Sequence, residues 1–392
     1  MRFMILGAGM QGRACAFDML KNPAVTEVLL ADSSAPMLTS AKAFLKSPRI
    51  KTVRADAGDA ARVKSLARGR DALVSAVPYF FNLTLAKAAV AAQVNYVDLG
   101  GDTGIVRQEL ALHAQAKKAG VCVLPDNGLG PGMISTIAVH GMEQLDQADE
   151  VLIRDGGLPQ KPVPPMDYML TFSEHGLINE YVGNATALRD GRRVEVPGLS
   201  EVETIDLPAP LGRCEAAHAA GGLSTMAWTY AGKVKTMDNK LIRYPGHIAV
   251  INAMRAMGFF DQKPHAFGRS RLSPREMSAR LFREHFDRPG DKDLVVIRVT
   301  VRGRKDGRRA EVVYTMLDRY DERTRMTAMM RTTGFPVSIV AQMAAARRIP
   351  PGAHTVEAGV PAGEFIREAR RRGFDLNVES RFLQPRERIA GI

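Results

Sequence analysis

Cysteine is scarce. The 392 residues hold three, Cys15, Cys122 and Cys214. They are far apart and odd in number, so they make neither a disulfide framework nor a metal-ligand spacing, and no metal is expected. No apolar run reaches the roughly 18 residues that a membrane span needs, so no membrane partner is expected. Internal repeats and low-complexity tracts are absent. Aromatic residues are only 6% and do not interleave with the basic runs Arg302-Gly303-Arg304-Lys305, Arg308-Arg309, Arg347-Arg348 and Arg370-Arg371-Arg372. That argues against nucleic acid as a partner. The net charge of +12 suits an anionic small substrate or a dinucleotide instead. Little precedes the first apolar run, Arg2–Leu6. This leaves no room for a leader, and a cytoplasmic protein is expected.

What is present describes an ordinary globular chain. Apolar residues are 45% and charged residues 24%, which allows a core and excludes disorder as the main state. The length suggests two or three domains. Over the first 145 residues, short apolar runs alternate with helical stretches. The runs are Arg2–Leu6, Glu27–Asp32, Lys51–Asp56, Ala72–Pro78, Asn95–Leu99 and Val121–Asp126. The helical stretches include Gly12–Leu20, Leu83–Ala92 and Val106–Ala119. This predicts βαβ units and a doubly wound parallel sheet, whose ligands bind at the carboxyl ends of the strands. Prolines 159, 162, 164 and 165 then mark a crossing. Beyond it, Leu294–Val301 and Ala310–Leu317 flank a turn with Lys305-Asp306-Gly307, which predicts a β-hairpin. Arg325–Arg331 is expected as a third strand. Pro336–Arg348 and Gly363–Arg372 read as helices. The expected domains are 1–130, a mixed α+β domain over 131–333, and C-terminal helices over 334–392.

Gly7-Ala8-Gly9-Met10-Gln11-Gly12 follows a strand and opens a helix, the context that gives a G-x-G-x-x-G its meaning. It predicts a Rossmann-type domain whose helix N-terminus receives a pyrophosphate. Asp32 stands 20 residues past Gly12, at the end of the second run. A carboxylate there holds ribose hydroxyls and repels a 2′-phosphate, which favours NAD over NADP. Asp56 is a candidate for the adenine edge or a plain turn aspartate. Ala76-Val77-Pro78 and Asp98-Leu99-Gly100-Gly101 are strand tips expected near the nicotinamide. Asp126, in the turn-rich Pro125–Met133 segment, can answer substrate positive charge or merely cap a helix. Lys240, Arg243, Tyr244 and His247 fall within eight residues. Arg243 is a candidate carboxylate clamp, and Lys240 or His247 a candidate proton carrier. Gly222, Ser224 and Thr225 read as a substrate-facing turn. Thr171-Phe172-Ser173-Glu174 reads as a helix cap.

Together these motifs resemble the saccharopine dehydrogenase-like family, and within it most closely the L-lysine 6-dehydrogenases. The resemblance rests on Gly7–Gly12, Asp56-Ala57-Gly58-Asp59, Val97–Gly101, Pro125-Asp126 with Pro131-Gly132-Met133, Leu199–Glu203, Glu215-Ala216, Gly221-Gly222 with Ser224-Thr225, and Arg243-Tyr244 with Gly246-His247. It implies a Rossmann domain, an inserted second domain and returning C-terminal helices. It also implies NAD along Gly7–Gly12, Asp32, Ala76–Pro78 and Asp98–Gly101, and an amino-acid pocket between domains lined by Asp126 and the Lys240–His247 segment. The reaction expected first is oxidative deamination of the lysine side-chain amine, with Asp126 facing the iminium and Lys240 or His247 assisting water. The alternatives are a saccharopine-type reductase, which joins or splits an amino acid and an aldehyde or keto acid, and a non-catalytic NAD(H)-binding protein. A homodimer is expected.

Overall fold

Four consecutive apolar residues, Phe3 to Leu6, are almost wholly buried. A strand covered on both faces reads as such a run, and this one starts the chain's first sheet. The computed structural model describes residues 1–288 and 290–384. The first sheet holds β1 (Arg2–Leu6), β2 (Glu27–Asp32), β3 (Ile50–Arg54), β4 (Ala72–Ser75), β5 (Asn95–Asp98) and β6 (Cys122–Leu124). Its order is β6-β5-β4-β1-β2-β3, with Gly352–Ala353 outside β6, and every pair is parallel. The order reverses between β1 and β4, the switch point where such sheets bind ligands. The fold class is the expected α/β one. The helical stretch expected over Val106–Ala119 is two helices, Thr103–Leu110 and His113–Ala119.

Two compact units share the chain. The first is Met1–His140, Ser224–Met226 and Met330–Phe374; the second is Gly141–Leu223, Ala227–Met329 and Asp375–Ile392. The expected boundaries at 130/131 and 333/334 give way to this interleaving. Most of the tail joins the first unit, as Gly334 backs onto Ala14 and Phe335 stacks on Phe17 at 6.4 Å. The strand Asn377–Phe382 instead pairs with Arg308–Arg319 in the second unit. The end of the expected third segment, 385–392, lies outside the described residues.

The second unit holds a mixed sheet. Its path runs β10 (Glu203–Leu207), β11 (Gly212–His218), β12 (Thr236–Arg243), β7 (Gln147–Pro159), Asp293–Lys305, Arg308–Arg319 and Asn377–Phe382, with β8 (Asn184–Arg189) and β9 (Arg192–Pro197) branching from β12. Among the described strands of this sheet, only β7 and β12 run parallel. The predicted hairpin is there and longer than expected, Asp293–Lys305 against Arg308–Arg319. Asp306 and Gly307 turn it with φ of 52° and 70°, as a two-residue turn between twisted strands requires. Arg325–Arg331 is not a strand. The helix Ala328–Ala345 starts there, because the Asp293 carboxylate accepts the Ala328 and Met329 N–H groups at 2.7 and 2.9 Å. That side-chain anchor sits 35 residues upstream, beyond any local pattern.

Candidate functional site

At the tip of β1 the three glycines do different work. A Cβ at Gly7 (φ +108°) would fall on the Ala76 carbonyl, and one at Gly12 on the Gly7 carbonyl. Packing therefore demands both. A Cβ at Gly9 would meet nothing within 4 Å. Gly9 caps the helix Met10–Lys21 with no side-chain acceptor, so the first-turn N–H groups of Met10, Gln11 and Gly12 stay open to an anion. The residues present fit a dinucleotide pyrophosphate.

Asp32 ends β2. Its carboxylate accepts the Ala8 N–H at 2.7 Å and the Ser34 N–H at 2.8 Å, which fixes it beside the glycine loop. Two guanidiniums brace the loops that Asp32 joins. Arg13 Nε donates to Ala8 O at 2.8 Å and Arg54 Nε to Ser33 O at 2.9 Å. Asp56 accepts the Gly58 N–H at 2.8 Å, so a turn role is present whatever else it touches. Ala76 and Val77 at the β4 tip lie against Gly7, and Gly101 packs on Tyr79, just past Pro78.

The β5 and β6 tips are tied together by Asp98. Its Oδ1 accepts N–H groups from Gly100 at 2.7 Å and from Asp126 at 3.0 Å. Asp98 has no exposed surface. Its side chain supports the loop from the interior; Leu99 and Gly100 beside it are half-buried. Asp126 has a left-handed backbone (φ +67°) and is 3% exposed. The Ser224 hydroxyl donates to its Oδ2, and its Oδ1 lies where a Cβ of Gly100 would be. Burial pushes its pKa up to about 8; the Ser224 hydrogen bond opposes this, while the charges of Asp98, Glu357 and Asp102 add to it. The next residue, Thr225, donates to Glu357 at 3.0 Å. The first unit thus gathers Asp126, Ser224, Thr225 and Glu357. Glu357 was absent from the sequence-based set, since nothing local marks it.

In the second unit the Lys240–His247 cluster divides. Side chains alternate across a strand, so on β12 Asp238 and Lys240 share one face and Asn239 and Arg243 the other. Lys240 Nζ binds Glu201 O at 2.6 Å and Glu203 at 3.0 Å. Around it Arg154 pairs with Glu203 and Asp238, and Arg189 with Glu201 and Asp238. Lys240 therefore belongs to an ionic network, and its expected catalytic role is withdrawn. His247 is also corrected. It is buried, with Nδ1 on Met166 O at 3.0 Å and Nε2 on Tyr181 OH at 2.9 Å. Burial, with the Arg243 charge behind it, pushes its pKa down to about 3, so the ring is neutral at neutral pH and its one N–H is spent on Met166 O. Tyr244 donates to Pro159 O at 3.0 Å, a structural contact.

Arg243 keeps a polar setting. Nε donates to Tyr181 OH at 3.2 Å, and Nη2 reaches Glu180 at 3.5 Å. Its guanidinium lies 5.0 Å from the Tyr168 ring and 5.6 Å from that of Tyr181. Asp155 accepts from Asn239 at 2.7 Å, and Asn239 fills the space that a side chain at Gly222 would need. Burial raises Asp155 to about 6 and Glu180 to about 7, against the pull of Arg243. Sequence reading missed Asp155, Glu180, Tyr168 and Tyr181. The one available signal was Asp155-Gly156-Gly157, polar and small residues inside an apolar strand. Ser173, by contrast, caps a helix as expected, accepting the Gly176 N–H at 3.2 Å. Among the described residues no group of three or more His, Cys, Asp or Glu side chains is placed for a metal ion, and no helix is long and apolar enough to cross a membrane.

Comparison with known proteins bears on this arrangement. Residues 3–124 match the saccharopine dehydrogenase NADP binding domain, and residues 128–373 match the saccharopine dehydrogenase C-terminal domain. A saccharopine dehydrogenase [NADP(+), L-glutamate-forming] of Schizosaccharomyces pombe is 25% identical over 248 residues, 60% of this chain and 53% of that protein. The mitochondrial alpha-aminoadipic semialdehyde synthase of Mus musculus is 24% identical over 228 residues, 55% of this chain and 24% of that protein. The chain thus spans about half or less of the length of these relatives. An apo saccharopine dehydrogenase (L-Glu forming) structure from Saccharomyces cerevisiae shares the fold, with TM-score 0.79 at 17% identity, covering 97% of this chain and 99% of that one. So does the NAD complex of a homospermidine synthase from Legionella pneumophila, with TM-score 0.70 at 13% identity, covering 98% and 92%. None of these four bears a lysine 6-dehydrogenase name, and the NADP of the domain name gives no support to a preference for NAD. On its two domain matches, the chain belongs to the saccharopine dehydrogenase family.

Proposed function

We propose that the chain is a nicotinamide-dinucleotide-dependent oxidoreductase of the saccharopine type, which joins or splits an amino acid and an aldehyde or keto acid at a carbon–nitrogen bond. The supporting observation is Asp126, a buried carboxyl at a strand tip with a pKa pushed to about 8. Such a group exchanges protons at working pH. In the joining direction its protonated form gives a proton to the departing carbinolamine hydroxyl, so that water leaves and the C=N bond forms. The resulting carboxylate then faces the iminium and stabilises its charge. Ser224 holds the carboxyl in place. The dinucleotide, when bound, supplies or takes the hydride at the iminium carbon.

For the cofactor, Asp32 supports NAD, since a carboxylate repels a 2′-phosphate. Arg13 and Arg54 brace the two loops that Asp32 joins, at Ala8 and Ser33, and are the groups that would receive that phosphate. Asp32→Ser is expected to shift the NADPH/NADH ratio of kcat/KM upward by about tenfold, roughly 1.4 kcal/mol.

The lysine-deaminating reading stays as a second one. The charged groups that raise Asp126 are Asp98, Glu357 and Asp102, all acidic, which favours a cationic amine. Its substrate amine, with a pKa of about 10.4, must lose a proton first, so activity would rise toward alkaline pH. Absorbance at the reduced-nicotinamide band separates the readings. Oxidation of NADH or NADPH that needs both an amine and an aldehyde or keto acid supports joining. Reduction of NAD or NADP by free lysine alone supports deamination. Dinucleotide binding without turnover of any pair would leave only the non-catalytic role. The proposed homodimer is tested by sedimentation velocity.

A further inference from the structure

Below the Gly100 loop two carboxyl groups meet. Asp98 ends β5, and Glu109 sits in the helix Thr103–Leu110. Neither has exposed surface. Asp98 Oδ1 is used by the Gly100 and Asp126 N–H groups. Asp98 Oδ2 and both Glu109 carboxylate oxygens find no donor, yet the two side chains lie in hydrogen-bonding contact with each other. Two bare carboxylates cannot share a dry site, and an acceptor facing an acceptor makes no bond. One proton resolves both problems, because O–H donating to O⁻ makes a short, strong hydrogen bond. The other titratable groups acting on the pair are Tyr96, on β5 itself, and Asp126 from the β6 tip. The Tyr96 hydroxyl donates to Asn82 O at 3.2 Å and also lies in hydrogen-bonding contact with Asp98. None of them brings positive charge. Burial, and after it the Asp98 charge, raises Glu109 to about 11, so the proton rests there.

We propose that Asp98 and Glu109 hold one proton between them, and that Glu109, by donating it, is the positioning residue that keeps the Gly100 and Asp126 N–H groups gathered on Asp98. The order of contacts is Glu109 O–H to Asp98 Oδ2, then Asp98 Oδ1 to the two loop N–H groups. Those bonds hold the left-handed backbone of Asp126, a conformation that aspartate adopts only with local support. Through them Glu109 reaches the acid–base group without touching substrate.

The inference concerns the same strand tips as the proposed reaction, so its first test needs no activity. Infrared difference spectra between the protein and Glu109→Gln, at neutral pH in H2O and D2O, should show one protonated carboxyl band that the variant lacks. Asp98→Asn should lose the band as well, since its amide would donate to an ionised Glu109. No difference in the carboxyl region would overturn the proposal. The second test is the pH profile of the reductive assay. Glu109→Gln keeps a donor for Asp98 and should keep the profile. Glu109→Leu leaves Asp98 to take the proton itself; with that charge gone, the apparent pKa of Asp126 should fall by roughly one unit. Equal profiles in the two variants would overturn the positioning role. A band with no turnover would instead count against the proposed reaction and leave the shared proton standing.

Discussion

At His247 both ring nitrogens are engaged, by Met166 O and Tyr181 OH. With the ring buried, its pKa falls to about 3. A histidine depressed in the fold stabilises it above the unfolded value of about 6.5. That contribution is lost as pH drops from there toward 3. His247→Gln should therefore flatten the fall of the urea midpoint over this interval. Asp126 has the opposite sign. Its carboxyl is raised from the usual range to about 8, so its contribution is complete below about pH 4 and is lost as pH climbs to 8. Asp126→Asn should gain stability on the wild type across that range, and should also lose the acid–base limb of the pH–rate curve. The two residues were not equally legible. Asp126 announces itself through the turn residues crowded after an apolar run. The partners of His247 lie 81 and 66 residues upstream in sequence, so no local pattern told a base from a core histidine.

Elements repay the rules that govern them. The alternation of β1 to β6 with helices, the fingerprint after β1 and the Asp306-Gly307 turn were all readable, because each is a short-range requirement of backbone geometry. The Lys240–His247 grouping failed for an equally simple reason. Closeness along a strand is not closeness in space, since the pleat sends neighbours to opposite faces. Lys240→Met should accordingly destabilise the second unit, by about 1–3 kcal/mol from the broken ionic network, while leaving the pH–rate curve unmoved. The glycines give a sharper contrast. Gly9→Ala has open space around it and should keep the melting temperature while losing dinucleotide affinity in fluorescence titration. Gly7→Ala and Gly12→Ala meet backbone carbonyls and should lose stability before binding is ever measured.

For the whole molecule, the interleaving of units matters more than the number of domains. Three separate segments build the first unit. Arg372, from the last of them, binds both carboxylate oxygens of Asp18 at 2.9 and 2.8 Å, and Asp18 is 2% exposed. Phe335 and Phe365, from the same segment, are buried. A fragment ending at His140 would lack all three side chains, so it should bind hydrophobic dye and melt without a cooperative transition. Asp18→Ala in the full chain should cost about 3–5 kcal/mol, because the Arg372 charge is left half-satisfied in the interior. The sequence carried the signal for the helices over Pro336–Arg348 and Gly363–Arg372. It did not carry which unit claims Ser224–Met226 or Asn377–Phe382, since that choice is made by partners 62 to 132 residues away.

The missing side chain at Gly100 occupies no space because the Asp126 carboxylate already does. Positions 100 and 126 are in consequence bound as one heritable character. A lineage that keeps the acid has no freedom at the glycine. One that trades the acid for a smaller residue gains that freedom at once, though not the left-handed backbone (φ +73°). Among descendants of this chain, alanine or serine at position 100 should occur only where position 126 has ceased to be acidic. Such a double change in an aligned sequence would mark the point at which the chemistry itself was given up.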